Sequence, residues 1–138
     1  MPFTKGRIVA QKKILVIEDE EDCVTYVTAV LQNENTDVVS ARDGVAGLKA
    51  AKSERPDLII LDVQMPKKDG FTVLIELKED NVTKDIPVVM LTGITERTGV
   101  KFTASEIGSF IGVEPEGYVL KPIDAETLKS EVKRVLAS

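Results

Sequence analysis

Asp62 follows the apolar run Leu58-Ile59-Ile60-Leu61 and precedes a turn that carries Met65-Pro66 and Asp69-Gly70. A run apolar throughout reads as a central parallel strand buried on both faces, and its carboxyl end opens onto the crevice where open α/β sheets bind and react. Taken alone, Asp62 also reads as a strand-ending Asp that caps a turn. Its counterparts at other strand ends are what make it unusual. Residues 14–17 lead into Glu18-Asp19, residues 87–91 into Thr92, and residues 118–120 into Lys121. Polar residues follow strands by default, which explains any one of these positions. It does not explain why carboxylates, a hydroxyl and an ammonium, the groups that phosphoryl chemistry needs, should appear together.

If Glu18, Asp19 and Asp62 converge, like charges a few ångströms apart repel and raise one another's pKa. A divalent cation resolves the conflict. Oxygen ligands without imidazole or thiolate select a hard ion, and partial carboxylate coordination with retained water suits Mg2+ better than Ca2+. Lys121 would then pair with one phosphoryl oxygen and the Thr92 hydroxyl with another. Asp62 is left as the nucleophile that forms an acyl phosphate.

Composition narrows the chemistry further. The chain has no histidine, which removes Ser-His and Cys-His nucleophile pairs, His-type zinc sites and any phosphohistidine carrier role. Cys23 is the single cysteine, so an internal disulfide or multi-cysteine metal site is excluded and a reduced, partly buried thiol is expected. A net charge of -5 argues against direct nucleic-acid binding and favours a protein partner. No apolar run approaches the roughly 20 residues of a membrane span, and no basic-then-apolar leader is seen, so the reading is cytoplasmic.

The elements that must position these groups alternate along the chain. Residues 1–12 read as a loosely held arm, and a single domain is expected over 13–138. After the first strand comes a helix from about Glu21 with Val24, Val27, Val30 and Leu31 on one face. Val38-Val39 marks a second strand. Asp43-Gly44 opens a helix whose Val45, Leu48 and Ala51 are expected to form its buried stripe. Phe71, Leu74, Ile75 and Leu77 give a third helix after strand three, and residues 125–137 close the chain as a helix with Leu128, Val132, Val135 and Leu136 inward. Five strands with intervening helices predict a doubly wound α/β fold, a five-stranded parallel flavodoxin-like sheet of order 2-1-3-4-5. Right-handed crossovers then bring the strand ends to one edge.

With those residues in place, the chain resembles the receiver domain of bacterial two-component response regulators, the CheY-like superfamily. The resemblance rests on Val16-Ile17-Glu18-Asp19, on residues 61–70, on Val89-Met90-Leu91-Thr92-Gly93 and on Gly117-Tyr118-Val119-Leu120-Lys121-Pro122. It implies that Asp62 is phosphorylated from a phosphohistidine, borne by a sensor histidine kinase or a histidine phosphotransfer protein. It further implies that Glu18, Asp19, Asp62 and the Gln64 backbone carbonyl hold Mg2+, and that Lys121 contacts the phosphoryl group before a cis bond to Pro122. Thr92 and Tyr118 would form a switch pair read by a downstream protein, while Gln64 and Ile94 tune hydrolysis. An aliphatic Ile94 cannot orient a water, so slow dephosphorylation is expected. The domain would catalyse only its own phosphorylation and dephosphorylation, so it is not read as an enzyme.

Other functions fit less well. A phosphohydrolase of the haloacid dehalogenase type needs a second Asp two residues after the nucleophile, where this chain has Gln64. Flavin binding on the same fold wants a hydroxyl- and glycine-rich loop after strand one, and here that loop is acidic. A pseudo-receiver that only binds partners would not need five chemically competent residues. The departure from the family is the long segment 93–117, which carries five glycines. One short helix is expected around residues 105–111, and Phe102, Ile107, Phe110 and Ile111 are read as the core stripe of an altered helix or an exposed partner patch. Both a stand-alone receiver and one cut from a larger regulator are compatible with these residues.

Overall fold

Alternation along β1 (Lys12–Ile17) sorts the core into two layers: Ile14 and Val16 point to one face of the sheet, Leu15 and Ile17 to the other. The computed structural model describes residues 11–65, 68–93 and 112–138. Within them β2 (Thr36–Ala41), β3 (Leu58–Asp62), β4 (Val88–Thr92) and β5 (Gly117–Leu120) join β1 in one sheet of order β2-β1-β3-β4-β5. All four pairings are parallel. This is the five-stranded order read from the sequence. β1 opens at Lys12, one residue ahead of the expected start.

Helices α1 (Glu21–Leu31) and α4 (Ala125–Ala137) cover one face, placing Val27, Leu31, Leu128, Val132 and Val135 against Ile14, Val16, Ile60, Leu91 and Val119. The opposite face packs α2 (Gly44–Glu54) and α3 (Gly70–Glu79), with Ala51, Val73, Leu74 and Leu77 among its buried residues. Every residue of β3 and β4 is buried, as central strands covered on both sides require. Asp43, Asp69 and Asp124 cap α2, α3 and α4, each accepting a backbone N–H three residues on.

One helix face departs from the sequence reading. Val45 of α2 is 58% exposed, while Gly44, Gly47 and Ala51 face inward. A Cβ on Gly47 would come within 2.7 Å of the Ile17 side chain, and one on Gly44 within 2.7 Å of Val73. The glycines let α2 lie close to the sheet and α3, and that close approach turns Val45 outward. Apolar periodicity alone counted Val45 as buried because it gave glycine no packing role. Residues 1–10 of the expected arm, Pro66, Lys67, Ile94 and the expected helix around 105–111 with Phe102, Ile107, Phe110 and Ile111 lie outside the described residues.

Candidate functional site

β1 and β3 are neighbours, with Ile17 in register with Leu61, so the next residue on each strand lands side by side. Those residues are Glu18, fully buried, and Asp62, 3% exposed. Asp62 is the last residue of β3, buried at the strand's carboxyl end. Lys121, the residue after β5, reaches over β4 to them, with its Nζ 3.3 Å from Oε1 of Glu18 and 3.2 Å from Oδ1 of Asp62. Lys121 is aligned from below by its backbone N–H, which donates to the Thr92 carbonyl at 2.8 Å. The Lys121-Pro122 peptide is cis.

The loop after β3 shows why its glycine is needed. The Gly70 N–H donates to the Val63 carbonyl at 2.9 Å, folding the start of α3 back onto the strand. A Cβ on Gly70 would run into the Asp62 carbonyl and lie 2.8 Å from Cα of Val63. Asp69 and Gly70 therefore work together: the first caps α3, and the second admits the close approach that aims Asp62. The Gln64 N–H also donates to Oδ1 of Asp62, at 3.3 Å, while the Gln64 side chain is exposed.

Two carboxylates and one ammonium leave the pocket short of positive charge. Burial, and then the adjacent Glu18 carboxylate, push Asp62 up to about 7 against the pull of Lys121. Burial also acts to raise Glu18. It is outweighed by hydrogen bonds from Asp62, the Cys23 thiol and the Glu20 amide and by the Lys121 charge, so Glu18 lies below its ordinary value. The two carboxyls titrate as a coupled pair, Asp62 raised and Glu18 lowered. Cys23, a free and half-buried thiol, is pushed up to about 12 by burial and by Glu18, which keeps it protonated as a donor. This contact was missed in the sequence because an isolated cysteine there reads as a small apolar residue. Its one signal was a place in the first turn of a helix starting directly after the acidic pair.

Glu18, Asp19 and Asp62 each offer a carboxylate oxygen, and these lie within 4.8 Å of one another. An all-oxygen set of this kind, two members of it buried, fits a hard divalent cation. Thr92 is buried at the end of β4, and its hydroxyl donates to the Gly93 carbonyl at 3.4 Å rather than to the acidic pair. At Gly93 a Cβ would meet no described atom within 4 Å. Tyr118 stands in register with Met90, two residues short of Thr92, and is half-buried on the outer strand. The structure thus brings Glu18, Asp19, Asp62 and Lys121 together, ties Thr92 to Lys121 through the backbone, and leaves Tyr118 at the sheet's edge.

Residues 14–133 match the family model described as response regulator receiver domain. The chain is 38% identical over 125 residues to the alkaline phosphatase synthesis transcriptional regulatory protein PhoP of Bacillus subtilis, covering 91% of this chain and 48% of that protein. It is 39% identical over 121 residues to response regulator PleD of Caulobacter vibrioides, covering 88% and 25%. The chain thus spans about half the length of the first relative and a quarter of the second. Among solved structures, Vibrio cholerae chemotaxis protein CheY4 is 31% identical with a TM-score of 0.76, covering 91% of this chain and 99% of that one. A putative response regulator from Chloroflexus aurantiacus is 26% identical with a TM-score of 0.79, covering 93% and 99%. Sheet order, the residues gathered at its carboxyl edge and a family match running from β1 into α4 agree, and the chain belongs to the response regulator receiver domain family.

Proposed function

We propose that this receiver takes a phosphoryl group from a phosphohistidine onto Asp62 and thereby changes the affinity of its Tyr118 face for a downstream protein. The observation that carries the reading is Asp62, buried at the end of β3 with Lys121 Nζ 3.2 Å away and Glu18 and Asp19 beside it. A buried, lysine-paired carboxylate costs stability, and a turn cap would not need one.

An oxygen of Asp62 attacks phosphorus in line, a P–O bond forms, and the P–N bond to the donor imidazole breaks with its electron pair leaving on nitrogen. Mg2+ held by Glu18, Asp19, Asp62 and the Gln64 carbonyl would neutralise the oxygens of the transferring group. Lys121 is placed to exchange its Asp62 contact for a phosphoryl oxygen. The Thr92 hydroxyl, whose bond to the Gly93 carbonyl is long, turns to another, and the Tyr118 ring moves into the space it leaves. Ile94 offers no donor to orient a hydrolytic water, so the acyl phosphate is long-lived. The donor is a sensor histidine kinase or a histidine phosphotransfer protein. PhoP is named a transcriptional regulatory protein, and an output of that kind would require more chain than the half matched here.

Intact-mass measurement after incubation with acetyl phosphate and Mg2+ tests the reading. The wild-type chain should gain one phosphoryl group and Asp62→Asn none. Equal gain by both, or gain by neither, overturns it.

A further inference from the structure

We propose that Glu131 and Arg134 of α4 form a clamp that fixes the β5 backbone at Tyr118. A change at the acidic pocket then reaches this face as movement of the Tyr118 ring and not as displacement of the strand. The inference rests on the reading of Tyr118 as the switch aromatic.

Among the described residues β5 is the last strand of the sheet, so the Tyr118 N–H has no further described strand to donate to. It donates instead to Oε2 of Glu131 at 3.1 Å. Arg134 holds that carboxylate with a planar pair of bonds, Nε to Oε1 at 2.9 Å and Nη2 to Oε2 at 2.8 Å. The same Nη2 donates to the Glu116 carbonyl at 3.0 Å, so the two side chains grip the backbone on both sides of Gly117. That glycine makes the grip possible. A Cβ there would run into Oε2 of Glu131 and come within 3.0 Å of Nη2 of Arg134. The residue below is anchored as well: the Glu116 carboxylate accepts from the Val88 N–H at 2.7 Å and from Lys78 Nζ at 2.9 Å.

Above Tyr118 the strand is tied again, by the Lys121 N–H on the Thr92 carbonyl. Between these ties the backbone is held, and Tyr118 lines an open groove of about 420 Å³ together with Pro122, Asp124 and Thr127. With the backbone tied on both sides, the Tyr118 side chain is the part left to respond. An edge strand without such ties could take up a change at Thr92 by shifting as a whole, and the signal would be spread over the strand.

Amide hydrogen exchange on the full chain tests the clamp without phosphorylation. Exchange at Tyr118 should be slow for an edge amide and at least roughly tenfold faster in Glu131→Ala, with the Ile60 amide of β3 changed less than about twofold. Glu131→Gln keeps an acceptor and should restore most of the slow exchange, and Gly117→Ala should reproduce the loss by displacing the carboxylate. Unchanged Tyr118 exchange in Glu131→Ala overturns the clamp. The coupling is read by tyrosine fluorescence in a Tyr26→Phe background, since Tyr26 and Tyr118 are the two tyrosines and the chain has no tryptophan. Adding Mg2+ and beryllofluoride, a phosphoryl mimic, should change Tyr118 emission, and Glu131→Ala should at least halve the change at full occupancy. A full-amplitude response in Glu131→Ala overturns the coupling. No response in the otherwise wild-type chain overturns the switch reading of Tyr118, whereas the exchange data judge the clamp by themselves.

Discussion

Lys121 Nζ lies 3.2 Å from Oδ1 of Asp62, and the same ammonium is 3.3 Å from Glu18, so one cation serves two buried carboxylates. Among the described residues the carboxylates outnumber their cation, which suits a site meant to receive a cation and is unfavourable without one.

Asp62→Asn removes one of the crowded carboxylates and leaves Lys121 matched to Glu18. At pH 8 in the absence of Mg2+ its thermal midpoint should rise by a few degrees, the effect of about 1 kcal/mol in a domain of this size. Lys121→Met should act the other way and cost about 1–3 kcal/mol, less than a fully buried pair would lose because Lys121 is partly exposed. Differential scanning calorimetry decides both signs, and a lower midpoint for Asp62→Asn would contradict the crowding.

Gly70→Ala places a methyl group against the Asp62 carbonyl. A destabilisation of about 1–3 kcal/mol in urea unfolding is expected, together with slower phosphorylation by acetyl phosphate as the loop moves. An unchanged midpoint and rate would show that the loop absorbs the methyl freely.

In α2 the expected order of costs is the reverse of what apolar periodicity suggests. Val45→Ser should change stability by less than about 0.5 kcal/mol, since its side chain is exposed. Gly47→Ala should destabilise despite a helix-propensity gain of about 1 kcal/mol, because the new Cβ meets Ile17 at 2.7 Å. Equilibrium unfolding of the two variants side by side checks the order.

Glu131 carries the pH dependence of the clamp. Hydrogen bonding from Arg134, with the Tyr118 amide adding to it, outweighs burial and holds its carboxyl below the ordinary value. A carboxyl depressed in the folded chain binds its proton more weakly there than in the unfolded chain. Its stabilisation is therefore complete above the unfolded value, near 4.5, and is lost as pH falls through the lower folded value. The gap in thermal midpoint between wild type and Glu131→Gln should be widest at neutral pH and close as pH falls below that range. A gap that widens on acidification would contradict the assignment.

Much of this was legible in the sequence, for a physical reason. Central strands buried on both faces must be apolar throughout, so residues 58–61 and 88–91 announce themselves, and the polar residue ending each run is displayed at the sheet's carboxyl edge. The gathering of Glu18, Asp62 and Lys121 follows from strand order alone. What the sequence hid depends on close approach. Val45 is turned out because two glycines seat α2, and Gly117 reads as an unremarkable strand end until the Glu131 carboxylate is seen above it. The Cys23 thiol likewise acquires its acceptor only once α1 is laid against β1.

Site mapping of the phosphoryl group bears most directly on the proposed role of Asp62. After acetyl phosphate and Mg2+, borohydride reduces an aspartyl phosphate to homoserine, and peptide fragmentation locates the change. Conversion at residue 62, dependent on Mg2+ and absent from Asp62→Asn, is the predicted result. Conversion at Asp19 or another carboxylate, or none at all under conditions that label a known receiver, would contradict it.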